Sequence, residues 1–148
     1  MRGFLLDTNV ISLLSPSKEE AAAVFIDWLE RADADGRLYL SVVTVHEIEK
    51  GIRLLEHKGA SARAATLRIW LSGLVSTYGE KILPLDIQVT SASGQLEAMA
   101  IACGHSPGMA DALIAGTAKA HDLAVITRNA RHFKPFGIAA YAPENIPD

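Results

Sequence analysis

The chain has 148 residues, 49% of them hydrophobic and 21% charged, with a formal net charge of −3. That length and apolar content predict a single domain over 1–148 with its own core, and they exclude intrinsic disorder. The single cysteine, Cys103, excludes an intramolecular disulfide and a thiolate zinc cage. The mild acidity argues against bulk adhesion to nucleic acid, but not against local basic patches beside an acidic metal pocket.

The first apolar run, Phe4–Leu6, is β-prone and stops at Asp7. It is too short for a signal peptide or a membrane span, so a cytoplasmic protein with no membrane association is expected. After Pro16 a helical pattern runs over Glu19–Ala32, opened by Ser17 or Lys18, with Ala22, Phe25, Ile26 and Leu29 on one face. Leu38–Val43 is the second strand run. Thr44–His57 follows with Val45, Ile48, Ile52 and Leu55 at helical spacing. Ala62–Tyr78 is helical, Ile82–Leu85 is strand-like, and Asp86 reads as the N-cap of a helix over Gln88–Cys103. Gly104 to Gly108 is a loop. Met109–His121 is a helix, and Ala124–Ile126 and Ile138–Tyr141 are the last strand runs. Strands alternating with long helices predict an α/β fold, with a central, mostly parallel sheet between two helical layers.

Three carboxylates follow separate strand runs, and open parallel sheets bind ligands outside the carboxyl ends of their strands. Asp7 is either an N-cap or a ligand. Glu47 is either the far half of a capping box with Thr44, or a carboxylate at the same sheet edge. Glu49 points to another side of that helix and is expected to be solvated. Asp111 lies in the first turn of its helix, where the dipole favours it, yet its neighbours are Ala110, Ala112 and Leu113. Together, such carboxylates repel unless a cation neutralises them. Hard oxygen ligands suit Mg²⁺ or Mn²⁺, which bridge to phosphate, so metal-assisted phosphodiester hydrolysis is the chemistry implied. The segment ITRNARHFKPFG adds Thr127 and Asn129, which can orient water or a carboxylate. It also carries Arg128, Arg131, His132 and Lys134, which can meet backbone phosphates or form a solvated turn.

Other conspicuous residues carry blander expectations. Trp28 and Trp70 are assigned to core or dimer packing, Cys103 to packing, and Met99 and Met109 to core filling. Gly51 and Gly116 inside helices are expected to permit close helix contacts. His46, His57, His105 and His121 form no ligand spacing.

In order, FLLDTNVIS, SVVTVHEIEKG and MADALIAGTAKAHDLAVITRNARHF resemble the PIN-domain ribonucleases, and within them the VapC-type toxins of toxin–antitoxin pairs. The resemblance spans the chain. It implies a PIN-like α/β/α sandwich, an acidic pocket for Mg²⁺ or Mn²⁺, and RNA as substrate, transfer and ribosomal RNAs among the candidates. It further implies a cognate antitoxin and a homodimer. Residue by residue, it carries the catalytic acids onto Asp7, Glu47 and Asp111, and the fourth position onto Asn129. Thr8, Asn9 and Thr127 match supporting positions. Arg128, Arg131 and His132 are assigned to RNA contact, with His132 standing where relatives often carry an acid. An amide at 129 supplies no net charge. One tightly held cation is therefore expected, on Asp7, Asp111 and water, with Glu47 direct or through water. The alternatives are a non-catalytic PIN-fold module binding RNA or protein, and another Mg-dependent phosphohydrolase. A dehalogenase-like phosphatase would need a second acid where Asn9 stands, and no G-x-G-x-x-G follows the first strand.

Overall fold

The computed structural model describes residues 2–16 and 21–147. Its centre is a five-stranded sheet of β1 (Gly3–Leu6), β2 (Leu38–Ser41), β3 (Ile82–Leu83), β4 (Leu123–Ile126) and β5 (Ala140–Tyr141). The order is β3-β2-β1-β4-β5 and every pairing is parallel. β1 is central. Leu5 pairs with Tyr39 on one side and Val125 on the other, so the chain reverses its winding direction at β1. That reversal puts Asp7, one residue past β1, at the crevice where such sheets bind ligands.

β1, β2 and β4 are buried on both faces, as inner parallel strands require, while β5 at the edge is only half-buried. Side-chain alternation then sorts two cores. Phe4, Leu6, Leu38, Leu40, Ala124 and Ile126 face one layer, formed by α1 (Thr8–Ile11), α2 (Ala23–Ala34), α3 (Val42–His57) and α4 (Ser61–Tyr78). Leu5, Tyr39, Leu123 and Val125 face the other, formed by α5 (Ile87–Ala102), α6 (Met109–His121) and the Phe133–Phe136 turn. This is the expected three-layer sandwich. Asp86 caps α5 as expected, its carboxylate accepting from the Val89 N–H at 2.9 Å.

Several local expectations are corrected. β2 ends at Ser41 because the Ser41 hydroxyl accepts the Val43 N–H at 3.0 Å and caps α3 there. Thr44 is therefore inside the helix, and no capping box links it to Glu47. α2 runs on to Ala34, and its proposed start at Ser17 or Lys18 lies outside the described residues. Cys103 is exposed, as are Met99 and Met109 at 46% and 65%, since α5 and α6 turn those positions away from the sheet. Gly51 faces open space. Gly116 does permit close packing: a Cβ there would lie 2.7 Å from the Ser93 backbone nitrogen, so α5 and α6 touch at this point. Trp28 packs edge-on against Phe4 at 4.9 Å, and Trp70 is half-buried against the same core. Glu49 is not simply solvated, because it pairs with Arg53 and Arg68 across α3 and α4.

Candidate active site

The carboxyl ends of β1, β2 and β4 carry most of the residues singled out by sequence. β1 delivers Asp7, β2 leads into α3 and Glu47, and β4 delivers Thr127. α6 crosses beside them with Asp111 in its first turn. Asp7 is an N-cap, and its second carboxylate oxygen is engaged as well. Its Oδ1 accepts the Thr8 N–H at 2.8 Å, capping the short α1, while its Oδ2 accepts the Thr127 hydroxyl at 2.8 Å. It is buried, at 7% exposure. A capping carboxylate is ordinarily solvated. Burial instead pushes the Asp7 carboxyl above its usual range. The Thr127 and Thr8 hydrogen bonds pull it back, and Asp111 and Glu47 push it up again.

Thr127 is a buried junction. Its hydroxyl has one proton, and the 2.8 Å bond to Asp7 claims it over Asn9 Oδ1 at 3.5 Å. It accepts from the Asn129 backbone N–H at 3.1 Å and from the Asn9 amide at 3.4 Å. Asn9 Oδ1 accepts the Arg128 N–H at 3.1 Å. Asn9 thus ties the turn after β4 to the turn after β1, holding Arg128 and Asn129 at the same edge. Both of these side chains are exposed, as are Arg131 and His132.

Glu47 lies one turn into α3, half-buried, and Thr8 donates to its Oε1 at 2.7 Å. Asp111 is half-buried. Desolvation raises its pKa, the nearby His132 lowers it and Glu47 raises it. His132 Nδ1 stands 3.7 Å from Asp111 Oδ2. Asp7, Glu47 and Asp111 thus share one electrostatic neighbourhood, although Asp111 follows α5 and a loop and not the expected strand run. Among the described residues, no set of three acidic, histidine or cysteine side chains is close enough to hold a metal ion as it stands. Asp7 and Glu47 are each turned onto a threonine hydroxyl. The donor chemistry nonetheless fits a hard divalent cation, which would relieve the repulsion that raises Asp7 and Asp111.

A separate cleft of about 610 Å³ lies between α2 and the last turn, lined by Leu13, Phe25, Trp28, Arg31 and Glu144, and it meets the site at Arg128. Its lining has no cluster of acids, so the chemistry is assigned to the carboxylate crevice.

Thr44 is the residue that sequence reasoning left out of the site. It is fully buried and its hydroxyl lies 3.0 Å from that of Thr8. The available signal was its helical spacing: Thr44, Ile48 and Ile52 share one buried face of α3.

Parallel strands around a central β1, with acids gathered at their carboxyl edge, define a class of α/β proteins built to handle charged ligands. The chain belongs to the PIN-domain family, whose model matches residues 4–137. It is 35% identical over 140 residues to toxin FitB of Neisseria gonorrhoeae, covering 94% of this chain and 96% of FitB. It is 32% identical over 140 residues to VapC ribonuclease Y4jK of Sinorhizobium fredii, with the same coverage of each. Its structure superposes on the crystal structure of FitAcB from Neisseria gonorrhoeae with a TM-score of 0.81 and 32% identity, over 97% of this chain and 99% of that one. Within the PIN domains the chain is of the VapC/FitB toxin type.

Proposed function

We propose that this protein is an endoribonuclease toxin, hydrolysing RNA phosphodiester bonds with Mg²⁺ or Mn²⁺ and neutralised by a cognate antitoxin. The observation that carries the reading is the electrostatic convergence of Asp7, Glu47 and Asp111 at the mouth of a parallel sheet. Kinship with a VapC ribonuclease and with toxin FitB supports the reaction and the antitoxin. A homodimer is proposed on the same kinship. No helix among the described residues is long and apolar enough to cross a membrane.

Asp7, Asp111 and Glu47 would hold the cation, with Glu47 direct or through water. The cation supplies charge neutralisation at phosphorus and lowers the pKa of the attacking water. The chain supplies placement. Thr8 and Thr127 fix the two buried-edge carboxylates, so neither has to reorient during reaction. Asn9 holds the Arg128 backbone at the edge where RNA phosphates would approach, and Arg131 follows as an exposed residue three positions on. His132, beside Asp111, would meet a phosphate or the leaving oxygen.

The test is cleavage of mixed RNAs by purified wild type and Asp7→Asn, each in Mg²⁺ and in EDTA. Wild type in Mg²⁺ should cut, and the other three reactions should not. Equal cleavage by both proteins in Mg²⁺ rejects the assignment. Binding without cleavage by wild type would favour a non-catalytic RNA-binding module.

A further inference from the structure

Thr44 sits where an apolar residue would serve the core better. It is screened completely from solvent, one helical turn before Ile48 on the buried face of α3. An unpartnered hydroxyl there would be destabilising. No buried side-chain polar atom among the described residues lacks a partner, and for Thr44 the partner is Thr8 Oγ1 at 3.0 Å.

The direction of that bond follows from the next one. Thr8 has a single hydroxyl proton, and it is committed to Glu47 Oε1 at 2.7 Å. Thr8 must then accept from Thr44, so the chain runs Thr44 to Thr8 to Glu47. Thr44 and Glu47 are three residues apart on α3, and Thr8 reaches them from α1 across 36 and 39 positions of sequence. The same construction recurs at Asp7. There the Thr127 hydroxyl accepts from the Asn129 N–H and donates to the carboxylate. In both cases a threonine hydroxyl is oriented by a fixed donor behind it.

We propose that Thr44 is a positioning residue for Glu47, acting through the Thr8 hydroxyl. The final torsion of a glutamate is broad and roughly two-fold, so the helix backbone does not determine where its oxygens point. The donor from Thr44 leaves the Thr8 proton one acceptor, Glu47 Oε1. That commits Oε1 and leaves Oε2 for the cation or the attacking water. Bonds in series also polarise one another, strengthening the last. The proposal rests on the nuclease reading for its consequence, but the relay itself concerns only Thr44, Thr8 and Glu47.

The experiment is a cycle of Thr44→Val, Thr44→Ser and Glu47→Gln, with Thr44→Val also made in the Glu47→Gln background. Single-turnover RNA cleavage, the RNA concentration for half-maximal rate, Mn²⁺ affinity by calorimetry and thermal midpoint are read for each. Thr44→Val should slow cleavage about tenfold, the worth of one lost oriented hydrogen bond, with the RNA dependence unchanged. It should also weaken Mn²⁺ binding severalfold. Thr44→Ser, which keeps the hydroxyl, should restore both even if its thermal midpoint falls. In the Glu47→Gln background Thr44→Val should add nothing. Full additivity in that background, or failure of Thr44→Ser to restore, overturns the proposal and leaves Thr44 as a packing residue. If wild type binds Mn²⁺ but cuts no RNA, the nuclease reading fails while the calorimetric cycle still decides the relay. If wild type does neither, both are overturned.

Discussion

The two ends of the sheet differ in how their charged groups are satisfied. The amino end gathers cations. Arg2 donates to the Tyr39 hydroxyl at 3.3 Å, Lys81 lies 4.5 Å from the centre of the Tyr39 ring, and Arg37 lies 4.9 Å from that of Phe4. Each has an aromatic face within reach, which suits a cation without demanding a counter-ion. The carboxyl end gathers anions under the reverse condition. Asp7 is buried, pushed up by burial and by two other carboxylates, and steadied only by neutral donors. One end is satisfied as folded, and the other leaves Asp7 without a cationic hydrogen-bond donor among the described residues. That asymmetry separates a structural use of charge from a functional one more clearly than exposure does.

The comparison breaks first at Asp7. Asp7→Asn should lower RNA cleavage by about three orders of magnitude, the several kcal/mol that cation-held charge stabilisation supplies. Asn caps a helix as well as Asp, so the fold should persist. In EDTA the variant should be more thermally stable than wild type. The folded-state pKa of Asp7 is raised, so the folded protein binds a proton more tightly than the unfolded chain. Wild-type stability from this group therefore falls as pH rises through the folded-state pKa. The advantage of Asp7→Asn should be greatest at pH 8 and shrink as pH falls towards about 4, the ordinary carboxyl value. Melting curves of both proteins across that range check the sign.

At the amino end the expected losses are of stability alone. A Cβ on Gly3 would meet the Arg37 carbonyl oxygen at 2.5 Å, backbone against side chain. Gly3→Ala should cost about 1–3 kcal/mol in denaturant unfolding, with cleavage per folded molecule unchanged. Lys81→Met should cost about 1 kcal/mol and leave cleavage alone, because it removes one ring contact and one exposed hydrogen bond, to the Gly36 carbonyl oxygen. Loss of activity in either variant, measured per folded molecule, would erase the contrast between the two ends.

Most of the fold was legible because it depends on local pattern. Apolar runs buried on both faces mark parallel strands, and the long periodic segments between them mark crossovers. Asp7 and Thr127 were legible for the same reason, since each directly follows a strand run. Thr44 was not. Its spacing to Glu47 is that of a capping box, and local sequence does not reveal that Ser41 has already capped the helix. What decides the role of Thr44 is contact with Thr8, far away along the chain, and no spacing rule reports such a contact. Met99, Met109 and Cys103 failed differently. Their types suit a core, but the sheet covers only one side of α5 and α6, and these positions fall on the other. Gly51 and Gly116 share a helical context, yet only Gly116 has a helix packed against it.

The central claim is that the carboxyl end of the sheet is a cation site built on Asp7. Calorimetric titration of Mn²⁺ into the RNA-free protein tests it most directly. The expected result is about one tight site per chain in wild type, abolished in Asp7→Asn, with its folded state verified by melting. Binding of equal strength in the two proteins, or two equally tight sites in wild type, would contradict it.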